Sequence, residues 1–398
     1  MKKLLDNTAK LKIGVLLFFV ALFLAEPYVV RIMLDVNFEF FWIPIVILLW
    51  FISLTCTRKT LPLPFIVCCL IQVLVWMLFY VIHKDGSYLT RIVFIIASYI
   101  FISSLDRIVG LKEIIRLNNG WMALQSCFGA IAFVLLFIGI IHPLAEYTLV
   151  DGRPFYFFGI TCSNAVYGNI MRPAGFFDEP GALACWGIYA LVFNKLFVDN
   201  KRVEYVLIVT LLFTLSLAYY VQLLLYLLLF YSNKLKTALP IALLLGAFIM
   251  YVSSDTSSEL YDLTLGRISI FADDGLETTS RAAMTEVSKA YFKQSPWIGI
   301  GAQASEDIGV YASDNPYETL GKDGIVGTLA LYLPLLYVLI QRRDRFVFAS
   351  IIVLAAGYMQ RPFHLNLMHY FMMYSFCILV LSMEQLTLTK SIIQNDKS

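Results

Sequence analysis

Apolar runs long enough, or nearly long enough, to cross a bilayer recur along this chain of 398 residues, and they constrain its fold more than any other feature. A transmembrane helix needs about 20 predominantly apolar residues. The runs lie near 12–34, 40–56, 62–82, 88–105, 121–142, 181–198, 203–217, 219–232, 238–252, 324–341, 346–358 and 364–386. Hydrophobic residues make up 60% of the chain and charged residues 15%, against about 25% charged in soluble domains. The sequence therefore predicts an all-α polytopic membrane protein of about twelve transmembrane helices and excludes a soluble enzyme.

The distribution of charge predicts which segments face the cytoplasm, because short cytoplasmic loops are enriched in Lys and Arg. The segments assigned to the inner face are 1–12, 57–60, 106–120, 199–202, 233–237, 342–345 and 387–398, and they hold 18 Lys+Arg against 6 Asp+Glu. The outer segments are 35–39, 83–91, 143–180, 253–323 and 359–363, with 10 Lys+Arg against 19 Asp+Glu. Both termini are therefore expected in the cytoplasm. Basic residues on both sides of 203–232 require a hairpin there, with its turn near 218–220.

Two long outer loops, 143–180 and 253–323, belong to what we expect to be one integral membrane domain over residues 1–398. Loops of this length are usually functional. The second loop contains TSRAAMTEVSKAYFKQ, which has the spacing of an amphipathic helix that ends before Pro296. The alternative is an extracytoplasmic cap that binds a partner.

Two arginines of these loops occupy unusual contexts. Arg172 lies in MRPAGFFDEPGALACW, directly before a non-helical stretch that Pro173 and Pro180 bracket, and Arg281 lies in the first turn of the amphipathic helix. A guanidinium binds phosphate through two parallel hydrogen bonds, and helix N-termini attract anions. The pattern indicates a pyrophosphate site. The alternative is that each arginine reaches lipid phosphate or pairs with a local acid such as Asp178.

Three blocks of the sequence resemble the O-antigen polymerase and ligase family of Wzy-type membrane proteins. The blocks are RPAGFFDEPGALA from Arg172, SRAAMTEVSKAYFKQSPWIGIG from Ser280, and SDNPYETLGKDGIVGTLALY from Ser313. Their order and spacing match, together with the layout of twelve spans. The N-terminal third matches only as hydrophobic segments.

The resemblance implies a GT-C-like glycosyltransferase of the bacterial inner membrane. Such a polymerase transfers a growing O-antigen or capsule chain from undecaprenyl pyrophosphate onto the next lipid-linked repeat unit, with inversion, at the periplasmic face. The essential arginines of the family correspond to Arg172 and Arg281. The implied partners are lipid-linked glycans, membrane lipids, a chain-length-regulating membrane protein and a flippase.

The chain departs from the family at two points. The ligase branch has His-Asn where this chain has Asp314-Asn315, which favours polymerisation of repeat units over ligation. An Arg-x10-Gly pattern of some members is absent at both Arg172 and Arg281.

Transfer from a pyrophosphate also requires a base near the acceptor hydroxyl. Asp178, Glu179 and Asp314 are the candidates, and Glu179 and Asp314 are favoured equally, because burial of a carboxylate at a membrane boundary makes it a better base. The alternative for Glu179 is stabilisation of the helix that starts after Pro180. Further residues expected to line the substrate cavity are Arg153, Asn315, Tyr317, Arg361 and His364.

Four other functions are compatible with the sequence: a transporter or lipid-linked oligosaccharide flippase without catalytic activity, an O-antigen ligase, a peptidoglycan-type membrane glycosyltransferase, and a scaffold subunit of an export complex. A transporter typically shows internal repeats and charged or broken helices near the midplane, and the predicted spans hold few charges. We expect no metal, no nucleotide cofactor and no nucleic acid, although Asp273 and Asp274 leave a cation site open.

Overall fold

A computed structural model describes residues 7–25, 28–33, 41–56, 62–148, 154–231, 281–303, 315–361 and 366–395, without the side chains at 31–32, 167, 281–283, 360 and 384–395. The described chain is mostly helical. Its α-helices are α1 (Asn7–Leu24), α2 (Val30–Met33), α3 (Trp42–Ser53), α4 (Leu63–His83), α5 (Ser87–Ile108), α6 (Leu111–Phe137), α7 (Pro180–Phe193), α8 (Lys201–Thr210), α9 (Leu217–Tyr231), α10 (Arg281–Gln294), α11 (Glu318–Leu331), α12 (Leu333–Gln341), α13 (Arg345–Gln360) and α14 (Leu367–Asn395). A π-helical turn, Asn194–Val198, extends α7, and a 3₁₀ turn, Leu211–Thr214, follows α8.

Within the described ranges, five helices are long and apolar enough to cross a membrane: α1, α4, α5, α6 and α7 with its π turn. Helices α11 and α12, bent by 41° at their junction, are also long and apolar enough when they are taken together as one span. The shorter apolar helices are α3, α9, α13 and the apolar part of α14, Leu367–Met383. A helix lies on each predicted apolar run inside the described residues, whereas the run at 238–252 lies outside them. The fold class is that of an all-α membrane protein.

Helix α4 shows why this chain needs a bilayer. Phe65, Trp76 and Phe79 are buried on one face, while Leu70 and Leu74 of the opposite face are 57% and 68% exposed. An amphipathic helix of a soluble protein carries polar residues on its outward face. The apolar outward face of α4 is instead suited to lipid.

Helices α7, α9 and α13 form a group whose directions follow from side-chain contacts. Near the ends of α7 and α9, Lys195 Nζ donates to Tyr231 Oη at 2.7 Å, so these two helices run in the same direction. The rings of Phe230 and Phe346 stack at 6.0 Å, which places the end of α9 beside the start of α13. We call the end of the bundle at which α7 and α9 begin and α13 ends the upper end, and the opposite end the lower end.

The structure differs from the sequence prediction in two connections. Helix α6 begins at Leu111, whereas residues up to 120 were expected in a loop. The turn between α8 and α9 lies at Leu215 and Ser216 rather than at 218–220, with Leu215 in the left-handed conformation at φ 48°. Tyr219 therefore lies in the first turn of α9, and its Oη donates to the carbonyl of Leu207 in α8 at 3.1 Å. This hydrogen bond joins the two helices.

The predicted loop 143–180 contains short strands in its described part. Strands β1 (Ala145–Thr148), β2 (Pro154–Phe157) and β3 (Cys162–Ser163) form an antiparallel sheet in that order, and β4 (Val166–Tyr167) pairs with β5 (Ile170–Met171). In this register Ala145 faces Phe157, and Phe157 faces Cys162. Cys162 is fully buried, and burial raises the pKa of its thiol to about 12. The sheet orders the chain immediately before Arg172.

Candidate functional site

Arg172 is held at the upper end by its own backbone and by the turn of the α8–α9 hairpin. Its N–H donates to the carbonyl of Ala165 at 2.9 Å, and its carbonyl accepts from Ser163 Oγ at 2.8 Å. Its side-chain Nε donates to the carbonyl of Thr214 at 3.1 Å. The residue is only 6% exposed, and its positive charge interacts electrostatically with the nearby Tyr220 hydroxyl. The guanidinium is therefore positioned beside the first turn of α9.

Glu179 lies at the position before α7 and forms an ion pair with Arg361, the residue after α13. Its side chain makes no capping hydrogen bond to α7, although its carbonyl accepts from the N–H of Ala182 at 3.0 Å. The Glu179 side chain is 15% exposed and that of Arg361 3%. Because a guanidinium stabilises the ionised carboxylate, Glu179 in this pair is a weaker proton acceptor than a lone buried carboxylate.

The absence of a side chain at Gly181 leaves the space that the Arg361 guanidinium occupies. A Cβ at position 181 would lie 2.8 Å from Arg361 Nη2. The arginine thus lies against the first turn of α7, where the backbone N–H groups point outward and carry partial positive charge. Glu179 offsets the repulsion between this cation and the helix end.

At least three of the described helices begin at the upper end. Helices α7 and α9 begin there, as their parallel directions show, and α14 begins a few residues after Arg361. Asn366 caps α14, because its Oδ1 accepts from the N–H groups of Met368 at 2.8 Å and His369 at 3.2 Å. Helix N-termini attract anions, so this end of the bundle combines three of them with two arginines.

A buried aromatic cluster includes Tyr358, which lies one helical turn before Arg361 on α13. The ring of Tyr358, three residues before Arg361, lies 4.4 Å from that of His369 and 5.0 Å from that of Tyr189. Tyr358 Oη and both ring nitrogens of His369 have no hydrogen-bond partner among the described residues. Sequence reasoning did not single out Tyr358 or Tyr189, and of the two histidines after Arg361, either of which could line the cavity, it named His364 rather than His369 as a site residue. Gly357, whose Cβ would lie 2.6 Å from Tyr189 Oη, is the one local sign of this close packing.

A second charged cluster joins the α4–α5 hairpin to α11. Arg91 Nη1 donates to Asp323 Oδ2 at 2.6 Å, and Tyr88 Oη donates to Asp323 Oδ1 at 3.1 Å. The Arg91 guanidinium carbon lies 4.8 Å from the ring centre of Trp76 and 4.9 Å from that of Tyr88. The side chains of the pair are 4% and 0% exposed. Sequence reasoning counted Arg91 and Asp323 only as loop charges and missed this contact.

The same hairpin binds the segment that follows α10. His83 Nε2 lies 3.1 Å from the carbonyl oxygen of Ile298, and Asp85 accepts from the N–H of Gln303 at 2.8 Å and that of Ser87 at 2.8 Å. Burial opposes ionisation of Asp85, but these hydrogen bonds and the Arg91 charge outweigh it and lower the pKa of the carboxyl below its ordinary value. The second and third blocks of the resemblance are thereby fixed to α4 and α5.

Asn315 and Tyr317, expected in the substrate cavity, contact α10. Asn315 Nδ2 donates to Ser288 Oγ at 3.1 Å, and Asn315 Oδ1 accepts from the N–H of Tyr317 at 2.9 Å. The Lys289 ammonium lies 5.4 Å from the centre of the Tyr317 ring. These contacts join the amphipathic helix to the start of α11.

The predicted site residues therefore divide into groups. Asp178, Glu179 and Arg361 lie at the start of α7, with Asp178 half-buried, and Arg172 lies at the same end of the bundle beside the start of α9. Arg281 is the first residue of α10, and its side chain lies outside the described set. Arg153, Asp314 and His364 also lie outside the described residues, as do Asp273 and Asp274. In the described part of the chain, no group of three or more His, Cys, Asp or Glu side chains is arranged to hold a metal ion.

Comparison of the chain with protein-family models, with curated proteins and with solved structures returns no match.

Proposed function

We propose that this chain is a polymerase of lipid-linked glycans. It transfers the growing chain from undecaprenyl pyrophosphate onto the next lipid-linked repeat unit, and the product is an O-antigen or capsule polysaccharide. The observation that carries the proposal is the upper end of the bundle, where Arg172 lies beside the start of α9 and Arg361 lies beside the start of α7 in an ion pair with Glu179. Such a site suits a diphosphate leaving group and a proton acceptor.

The proposal includes the membrane arrangement. Twelve helices cross a bacterial inner membrane, both termini are cytoplasmic, and the loops 143–180 and 253–323 face the periplasm together with the upper end. A chain-length-regulating membrane protein and a flippase are its proposed partners. Cysteines introduced at Ser305 and Ser232 should be labelled from the periplasmic and the cytoplasmic side respectively. The reverse labelling pattern would overturn this orientation.

The reaction is a single displacement. The acceptor hydroxyl oxygen forms a bond to the anomeric carbon of the donor, while the bond from that carbon to the pyrophosphate oxygen breaks. The electron pair leaves with the lipid pyrophosphate, whose charge Arg172 and Arg281 neutralise. The hydroxyl proton passes to Glu179 or Asp314, and the single displacement inverts the anomeric configuration.

The deciding experiment supplies the purified protein with lipid-linked repeat units and separates the products by size. A ladder of longer glycans supports a polymerase. Movement of the substrate across vesicles without elongation would instead identify a flippase. Transfer to lipid A core without a ladder would identify a ligase.

Arginine variants then test the site. Arg172→Ala and Arg281→Ala should each abolish long chains while the lipid-linked single repeat persists, and Arg281→Lys should remain poor, because an ammonium does not reproduce the paired hydrogen bonds of a guanidinium. Arg267→Ala, which changes an arginine of the same loop outside the three blocks, is the matched control. Normal chain lengths in both alanine variants would refute the assignment.

A further inference from the structure

The Glu179–Arg361 ion pair occupies a place in which an anionic ligand would also be stable. Arg361 is 3% exposed and packs against the first turn of α7 at Gly181. A helix N-terminus carries partial positive charge, so the Arg361 guanidinium and the N-terminus of α7 together form a region of strong positive potential. The Glu179 carboxylate supplies the negative charge that balances this positive potential.

The position of Glu179 makes that carboxylate exchangeable. It belongs to the residue that precedes α7, has extended backbone angles of φ −154° and ψ 157°, and makes no capping hydrogen bond to the helix. Its side chain is the more exposed member of the pair, at 15%. The carboxylate can therefore turn away without breaking the hydrogen bonds of α7.

A second observation concerns the buried polar groups of Tyr358, one helical turn before Arg361 on α13, and of His369, which contacts the Tyr358 ring. Tyr358 and His369 are 1% and 0% exposed, and the Tyr358 hydroxyl and both His369 nitrogens have no partner among the described residues. Buried polar atoms normally have hydrogen-bond partners. Hydroxyl and imidazole groups are suitable partners for the oxygens of a sugar or a phosphate.

We propose that Arg361 and the N-terminus of α7 form a diphosphate-binding site and that the Glu179 carboxylate occupies it until the donor arrives. The inference rests on the proposed function and adds to it a third arginine and a way of coupling the base to the substrate. The diphosphate of the polyprenyl donor displaces the Glu179 carboxylate from Arg361. Glu179 then becomes a stronger proton acceptor, because its cationic partner is engaged by the donor.

In the displaced state, Glu179 takes the proton of the acceptor hydroxyl. The hydroxyl oxygen bonds to the anomeric carbon, and the electron pair of the broken carbon–oxygen bond leaves with the lipid diphosphate held by Arg361. When that product dissociates, Glu179 returns to Arg361 and loses its proton to solvent. The base is thus active only when the donor is bound.

Binding of inorganic pyrophosphate to the purified protein in detergent tests the site without any turnover. Glu179→Gln removes the competing charge and keeps the shape of the side chain, so the affinity should rise about fivefold or more, in the range of typical couplings between sites. Arg361→Gln should lose most of the binding, and the double variant should resemble Arg361→Gln. Glu113→Gln is the matched control, because Glu113 also pairs with an arginine, Arg116, but on an exposed turn near the start of α6.

An unchanged or weaker affinity in Glu179→Gln would overturn the proposal, since a carboxylate that merely orients Arg361 would aid binding rather than compete with it. If Glu179→Gln does not fold, Glu179→Ala serves as the second variant with the same expected rise. In the polymerisation assay, Glu179→Gln should bind pyrophosphate more tightly and yet lose elongation. A wild-type protein that makes no ladder would refute the polymerase, whereas the pyrophosphate affinities would still decide the displacement of Glu179.

Discussion

Two arginine–carboxylate pairs connect distant parts of this molecule, and their surroundings differ. In the Arg91–Asp323 pair, both side chains are almost fully buried, Tyr88 also donates to the carboxylate, and Trp76 lies against the guanidinium. The Arg361–Glu179 pair lies at the upper end of the bundle with its carboxylate partly exposed. The two guanidinium groups are thus similarly buried, whereas the carboxylate is enclosed in the first pair and partly exposed in the second.

This difference separates a structural role from a binding role. The Asp323 carboxylate is bound on both oxygens, by Arg91 and by Tyr88, and its side chain is fully buried, so an anion that replaced it would have to displace both contacts. Glu179 faces a helix end that any anion would favour. A buried pair is costly to break from one side, whereas an exchangeable pair should respond to ligand.

The largest expected effect is on stability, from breaking the buried pair. Arg91→Met leaves the Asp323 carboxylate buried without its cation, and a loss of about 3–5 kcal/mol in the free energy of unfolding is expected for such a change. Unfolding in mixed detergent micelles measures it. The double variant Arg91→Met with Asp323→Leu should recover a large part of the loss, because apolar residues often replace a buried ion pair without penalty. Equal losses in the single and the double variant would show that the cost is one of packing rather than charge.

Alanine should cost more stability at the glycine beside the Arg91–Asp323 pair, Gly324, than at the glycine beside the Arg361–Glu179 pair, Gly181. Gly324 follows Asp323, has φ 63° and ψ −168°, and would place a Cβ 2.5 Å from the backbone nitrogen of Ile298. This conformation is essentially restricted to glycine, so Gly324→Ala should cost about 2–3 kcal/mol or more. At Gly181 an added Cβ meets the far end of the flexible Arg361 side chain. Gly181→Ala should therefore change stability by less than about 1 kcal/mol, and thermal unfolding of both variants in detergent would show the order.

The positions of the helices could be predicted from the sequence because the bilayer fixes the length of an apolar run. The run at 62–82 became α4, Leu63–His83, almost without change. The start of α6 could not be predicted in this way, because its first turns carry Lys112, Glu113 and Arg116 and resemble a charged loop. A helix that extends beyond the apolar layer loses the hydrophobic signal while it keeps its hydrogen bonds.

The pairing of charges was beyond sequence reasoning for a different reason. Arg91 and Asp323 are 232 residues apart, and nothing local to either residue identifies the other. Arg361 and Glu179 were both predicted as site residues, but their mutual contact depends on how α13 packs against α7. Residue chemistry selects candidates, and tertiary packing decides which of them meet.

A smaller effect should separate the two pairs by their response to pyrophosphate. Glu179→Gln should lower the thermal stability modestly, and added pyrophosphate should restore it, because a ligand that binds only the folded state stabilises it by about 2.7 kcal/mol at a concentration a hundred times its Kd. Asp323→Asn should gain no more from pyrophosphate than the wild type does. Thermal unfolding with and without pyrophosphate measures both. Equal gains in Glu179→Gln and Asp323→Asn would remove the distinction between the two regions.

The smallest expected effect concerns Asp85, which extends the region of the buried Arg91–Asp323 pair to the segment after α10. The pKa of this carboxyl is lower in the folded protein than the ordinary value of about 3.9. Its ionised form therefore contributes stability at neutral pH, and that contribution is lost as the pH falls below 4 through the pKa of the folded state. Asp85→Asn should cost about 1 kcal/mol at pH 7, since a neutral amide is a weaker acceptor for the N–H groups of Ser87 and Gln303. The difference in thermal midpoint between wild type and variant should shrink from pH 7 to pH 3, and a difference that stays constant over this range would show that Asp85 acts through its shape rather than its charge.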